Sequence, residues 1–108
     1  MSAITTHVLD TSRGAPAAGV RVMLDVQFPD GAWKNLGKAV TDADGRARTL
    51  LPEGASLTEA VYRLTFDNLP YDALYPAVII AFFVRDTGRH YHIPLLLSPY
   101  GYTTYRGS

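Results

Sequence analysis

The chain has 108 residues and a mass of 11.8 kDa, enough for one domain spanning 1–108 and too little for a second core. Hydrophobic residues make up 47% and charged residues 19%, so the chain carries the apolar surface of a folded domain and disorder is excluded as its main state. Ten basic and ten acidic side chains cancel and cysteine is absent, which argues against polyanion binding, disulfides, thiolate metal sites and cysteine nucleophiles.

The expected partners therefore include neither nucleic acid nor a membrane, and the cytoplasm is the expected compartment. The start, Met1-Ser2-Ala3-Ile4-Thr5-Thr6-His7, has no basic and apolar stretches of a secretory signal. No run approaches the ~18 to 20 apolar residues of a membrane span.

In chain order, Ile4 to Leu9 is the first segment with strand composition. Val20 to Phe28 alternates strictly, with Val20, Val22, Leu24, Val26 and Phe28 on one face and Arg21, Met23, Asp25 and Gln27 on the other. Trp33 to Val40, Ala60 to Phe66, Val78 to Val84, Tyr91 to Leu97 and Tyr102 to Tyr105 follow. Turn chemistry separates them at Arg13-Gly14-Ala15-Pro16, Pro29-Asp30-Gly31, Asp42-Ala43-Asp44-Gly45, Pro52-Glu53-Gly54, Asp86-Thr87-Gly88 and Ser98-Pro99-Tyr100-Gly101. Seven or eight short strands spaced in this way predict an all-β, antiparallel two-sheet sandwich. Only Leu57 to Ala60 and Tyr71 to Leu74 have the pattern of a helical turn, so at most one short helix is expected. Val78 to Val84 lacks alternation, which suits a strand covered on both faces, by a loop or by a neighbouring subunit.

The chain has three histidines, His7, His90 and His92, each in or beside a predicted strand. His90 and His92, two apart, share one face. With His7 they are compatible with a three-histidine zinc site open to water, and equally with ordinary hydrogen-bonded surface histidines; the spacing leaves both open. On the last strands Tyr91, Ile93, Leu95 and Leu97 form one face and His92, Pro94 and Leu96 the other, and Tyr105 is expected to share the outer face with His92. Asp42-Ala43-Asp44-Gly45-Arg46 departs from calcium-loop spacing and reads as a tight turn, from which Arg46 emerges as a fixed guanidinium suited to an oxyanion or carboxylate. No G-x-S-x-G elbow, S-x-x-K pair, phosphate loop or dinucleotide turn is present, and no cofactor is expected.

Four blocks carry a resemblance: Thr5 to Thr11 (TTHVLDT) with Pro16 to Val20 (PAAGV); Thr41 to Arg46 (TDADGR); His90 to Pro99 (HYHIPLLLSP); and Tyr105 to Ser108 (YRGS). Together they resemble the 5-hydroxyisourate hydrolases, the transthyretin-related enzymes of urate breakdown, and span the whole chain. The resemblance implies a transthyretin-like sandwich of about eight strands, assembled as a homotetramer, a dimer of dimers with active sites at the interface between dimers. It implies opening of the cyclic amide of 5-hydroxyisourate to 2-oxo-4-hydroxy-4-carboxy-5-ureidoimidazoline, without metal or cofactor. The catalytic residues it implies are His7, Arg46, His92 and Ser108, with His7, Arg46 and Tyr105 binding substrate. Transthyretin proper lacks these histidines, this arginine and this tail. In that reading His92, helped or oriented by His7, activates water, Arg46 holds the oxyanion, and Tyr105 and Ser108 orient the planar substrate; which histidine is base and which positioner the sequence leaves open. The alternative is a transthyretin-like small-ligand binding module without chemistry; a zinc-dependent hydrolase using His7, His90 and His92 is a third possibility.

Two departures from the family pattern stand out. Asp42 replaces the usual Asn, an acidic residue near Arg46 whose effect on the pairing of Arg46 and on the net charge of the site the sequence leaves open. The segment Phe66 to Pro76 is several residues shorter than the family's loop and helix at this place.

Overall fold

The computed structural model of the chain describes residues 3–70 and 72–108. Ten strands run in order: β1 (Ile4–Asp10), β2 (Ala15–Pro16), β3 (Arg21–Gln27), β4 (Trp33–Val40), β5 (Arg46–Ala47), β6 (Ala60–Asp67), β7 (Val78–Val84), β8 (Tyr91–His92), β9 (Leu95–Ser98) and β10 (Gly101–Thr104). There is no helix among the described residues. Two sheets face each other across one apolar core: β4-β3-β6-β7, and a six-stranded sheet in which β10-β9-β1-β2 is extended by β5 and β8 against β1.

The alternation read from β3 holds at Val20, Val22, Leu24 and Val26, which are buried, and fails at its ends. Phe28 lies beyond the strand and is 46% exposed, because the chain turns there, with the Gly31 N–H donating to the Phe28 carbonyl. Asp25, on the face opposite Val22 and Leu24, is buried beneath Arg63, whose Nη2 lies 3.1 Å from Oδ2, and Asn35 donates to its Oδ1 at 3.1 Å. Charge pairing thus covers a carboxylate that periodicity alone assigns to water.

The predicted strand Tyr91 to Leu97 is divided into β8 and β9. Pro94 lies in the gap and has no N–H to donate to a ladder. Both pieces pair with β1 in parallel and in one register, Ile4 opposite Tyr91 and Val8 opposite Leu95, so this sheet is mixed rather than wholly antiparallel. The remaining extra strands, β2 and β5, are two-residue pairings along the other side of β1.

β7 does alternate once placed. Val78 and Val84 are buried, whereas Ile79 and Phe83 point outward, 59% and 60% exposed, on the edge of the four-stranded sheet. On this outer face the Arg85 guanidinium stacks 4.1 Å over the Phe83 ring. The segments expected to hold a helical turn are otherwise: Leu57 to Glu59 leads into β6 without one, and Asp72 to Leu74 is held by Ala73 N–H to the Pro70 carbonyl and Leu74 N–H to the Pro99 carbonyl. Tyr71 lies outside the described residues.

Candidate active site

The site grows from the outer face of β1. Inward-pointing Ile4, Thr6 and Val8 are buried, leaving Thr5 and His7 side by side on the opposite face, two residues apart. On one flank β5 sets Arg46 directly opposite His7; on the other β8 sets His92 directly opposite Thr5. One central strand therefore aligns an arginine and two histidines drawn from distant stretches of sequence.

The turn before β5 fixes Arg46. Gly45 adopts φ 76°, a backbone conformation open to glycine, and its N–H donates to the Asp42 carbonyl at 2.9 Å. Asp42 Oδ1 accepts the backbone N–H groups of Asp44 and Arg46, at 2.9 and 3.1 Å. Those bonds, first the one from Arg46, hold the Asp42 carboxyl below the usual carboxylate range, with Arg48 adding to the effect. The side chain that Asp42 engages is Arg48, Nε to Oδ2 3.4 Å, not Arg46. Among the described residues no carboxylate pairs with the Arg46 guanidinium, which lines the cavity.

His7 donates from Nε2 to the Asp44 carbonyl at 2.7 Å, which commits that nitrogen and leaves the lone pair of the neutral ring on Nδ1. His92 is held differently. Its Nδ1 lies 2.8 Å from Thr5 Oγ1, and the same hydroxyl lies 2.9 Å from Nε2 of His90. The His90 and His92 rings stack with centroids 6.4 Å apart. Burial lowers the His92 pKa from its ordinary 6.5, and electrostatic repulsion from Arg46 first, then from His90 and His7, lowers it further, against a raising hydrogen bond to the Thr5 backbone. His92 is thus a neutral base near pH 7.

The tail completes the site. Gly107 pairs with His92 antiparallel and donates its N–H to the His92 carbonyl at 2.8 Å, continuing the register in which Thr104 faces Leu95. A Cβ at Gly107 would overlap the His92 ring at Cδ2, so only glycine allows this close approach. Arg106 stacks 4.3 Å over Tyr91, and Ser108 reaches the cavity. The cavity, about 570 Å³ and open to solvent, is lined by Thr5, Arg46, Arg48, His90, His92 and Ser108, among others. Its size lies within the range of about 300 to 1,000 Å³ typical of small-molecule sites.

Of the residues singled out in the sequence, Arg46, His92 and Ser108 line this cavity, and His7 stands beside Arg46 in the neighbouring strand. Tyr105 does not line it; the residue is 55% exposed. Among the described residues no three histidine, aspartate or glutamate side chains group as metal ligands, since His7 turns to Asp44 while His90 and His92 converge on a hydroxyl. Sequence reasoning gave no role to Thr5, Arg48 or Thr49; for Thr5 the signal was present, because alternation along β1 puts it on the face of His7.

Residues 4–107 match the family described as HIUase/Transthyretin. The 5-hydroxyisourate hydrolase of Deinococcus radiodurans is 44% identical, over 97% of this chain and 95% of that protein. The uric acid degradation bifunctional protein TTL of Arabidopsis thaliana is 43% identical over 97% of this chain, which spans only 37% of that longer protein. Among solved structures, sea bream transthyretin in complex with thyroxine superposes with a TM-score of 0.87 at 30% identity, covering 98% of this chain and 95% of that one. Klebsiella pneumoniae 5-hydroxyisourate hydrolase gives 0.78 at 34% identity, covering 97% and 98%.

Proposed function

Since the chain belongs to the HIUase/Transthyretin family, we propose that it is a hydrolase that opens the cyclic amide of 5-hydroxyisourate in urate degradation. The observation that carries this reading is the convergence of His7, Arg46, His92 and Ser108, from four separate segments, on one stretch of β1 and its cavity.

The chemistry follows from the groups present. Hydrolysis needs a nucleophilic water and stabilisation of the oxyanion that forms at the amide carbon. His92 takes a proton from water at Nε2 as the water oxygen adds to the carbonyl carbon, and the displaced electron pair goes onto the carbonyl oxygen. That oxygen faces the guanidinium of Arg46, which has no carboxylate partner among the described residues. Collapse breaks the C–N bond, and the proton held by His92 passes to the departing nitrogen. General-base assistance of this kind is worth about 10² to 10⁴ in rate. His7, tied to Asp44, acts in positioning, and Ser108 contributes a hydroxyl to the substrate. This division assigns the base to His92, a choice the sequence leaves open. The reading is of a metal-independent enzyme indifferent to EDTA.

The same reading takes the protein to be a cytoplasmic homotetramer. Support comes from the outward Ile79 and Phe83 of the edge strand β7 and from Tyr105, which belongs at an interface between copies if it is to reach substrate. No helix among the described residues is long and apolar enough to cross a membrane.

A binding module without chemistry is the second reading, favoured by the TM-score of 0.87 to a thyroxine-bound transthyretin. The two separate when 5-hydroxyisourate is generated from urate by a urate oxidase and its ultraviolet decay is followed. The hydrolase accelerates decay over the protein-free rate; a binding module retains a planar urate analogue yet leaves that rate unchanged.

A further inference from the structure

Thr5 lies directly opposite His92 in the parallel β1–β8 pairing, and its single hydroxyl stands within hydrogen-bond distance of two imidazole nitrogens, Nδ1 of His92 and Nε2 of His90, at 2.8 and 2.9 Å. A hydroxyl has one proton. It donates to one of these rings and accepts from the other, so the tautomers of His90 and His92 are coupled through it.

We propose that Thr5 is the positioning residue of the site, holding His92 with its proton on Nδ1 and its Nε2 lone pair open to the cavity. The inference rests on the reading of His92 as base. A base at Nε2 requires Nδ1–H, which donates to Thr5 Oγ1; the Thr5 hydroxyl then donates to Nε2 of His90, whose own proton sits on Nδ1. Among the described residues Nε2 of His92 has no hydrogen-bond partner and is not a buried unsatisfied atom, as an open base requires. When Nε2 takes a proton from water, both bonds in the His92–Thr5–His90 chain strengthen, and the new positive charge is shared toward the exposed His90. The charged and titratable groups around His92 are Arg46 from β5, His7 from β1 and His90 ahead of β8, with Arg48 and Glu53 on the cavity wall and Arg106 reaching the His90 carbonyl.

Thr5→Val keeps the shape and strand preference of the side chain and removes the hydroxyl; Thr5→Ser restores it. Nitrogen-15 NMR of the imidazoles near pH 8 reads the tautomer without reference to activity. The wild type is expected to show His92 protonated on Nδ1, and Thr5→Val to move it toward the Nε2–H form. A wild-type His92 protonated on Nε2 overturns the proposal. In the decay assay Thr5→Val is expected to lower kcat about 10- to 100-fold, as loss of a ligand-orienting partner does, with little change in KM. The acid limb of the pH profile should move to lower pH, because the imidazolium loses its acceptor, and Thr5→Ser should recover both. Wild-type kcat and pH profile in Thr5→Val, alongside loss of activity in His92→Ala, refute the role of Thr5 and leave the hydrolase reading standing. Failure of the wild type to accelerate decay refutes that reading instead, and the tautomer measurement still decides the matter for Thr5.

Discussion

At His92 burial acts in one direction with the electrostatic influence of Arg46, His90 and His7, and the consequence is a sign that can be checked. The pKa lies below 6.5, so the base form is populated above that lowered value, and the acid limb of the activity profile should have its midpoint below pH 6.5. A pH–rate profile with its acid limb above 6.5 contradicts this. The same shift enters stability: an unfolded histidine takes up its proton near 6.5 whereas the folded one stays neutral, so the contribution present above 6.5 is lost as pH falls through the folded value. At Gly107 the backbone passes so close to the His92 ring that Gly107→Ala must displace one of them. A misplacement of about 1 Å costs up to about 10² in rate, and kcat should fall accordingly. Gly88→Ala, where the added Cβ meets Asp86 Oδ1 at an ordinary 3.5 Å, is the matched control and should retain wild-type kcat. Arg46→Ala should reduce turnover about 10² to 10³-fold, the usual loss on removing an oxyanion partner, measured in the decay assay.

The strands turn a scattered sequence into that constellation, and β9 shows how core and site are linked. Leu95 is fully buried between the sheets, paired with Val8 on one side and Thr104 on the other, so it anchors both β1 and the tail that ends at Ser108. Leu95→Ala should cost about 2 to 5 kcal/mol in urea unfolding, as truncations at closed core positions do. Within β1 and β3 the period-two pattern made the buried faces legible, and the four motif blocks made Arg46, His92 and Ser108 legible as a set. Periodicity carries no information on pairing partners, however. The parallel β1–β8 contact, which alone brings Thr5 to His92, is a long-range consequence of topology, and Pro94 dividing one predicted strand in two is a local rule that alternation passes over. The burial of Asp25 is hidden for a related reason: its partners Arg63 and Asn35 come from other strands, and only the assembled sheet reveals them.

At the scale of the whole molecule, β7 carries exposed apolar surface. The sequence of this strand read as covered on both faces, and the chain covers one. Ile79 and Phe83 on an unpaired edge are the surface expected to meet a second copy in the proposed tetramer. Sedimentation equilibrium should give four times the 11.8 kDa chain mass for the wild type and a smaller species for Phe83→Glu, whose circular dichroism should remain that of a β-sheet protein. A wild type that sediments as a single chain contradicts the assembly. The central claim is that a neutral His92 beside Arg46 makes this protein a hydrolase. Its most direct test is the decay of freshly generated 5-hydroxyisourate at pH 7 with wild type, with His92→Ala and without protein. The wild type is expected to accelerate decay, and the acceleration to fall about 10² to 10⁴-fold in His92→Ala. Equal rates for the wild type and the mutant contradict it.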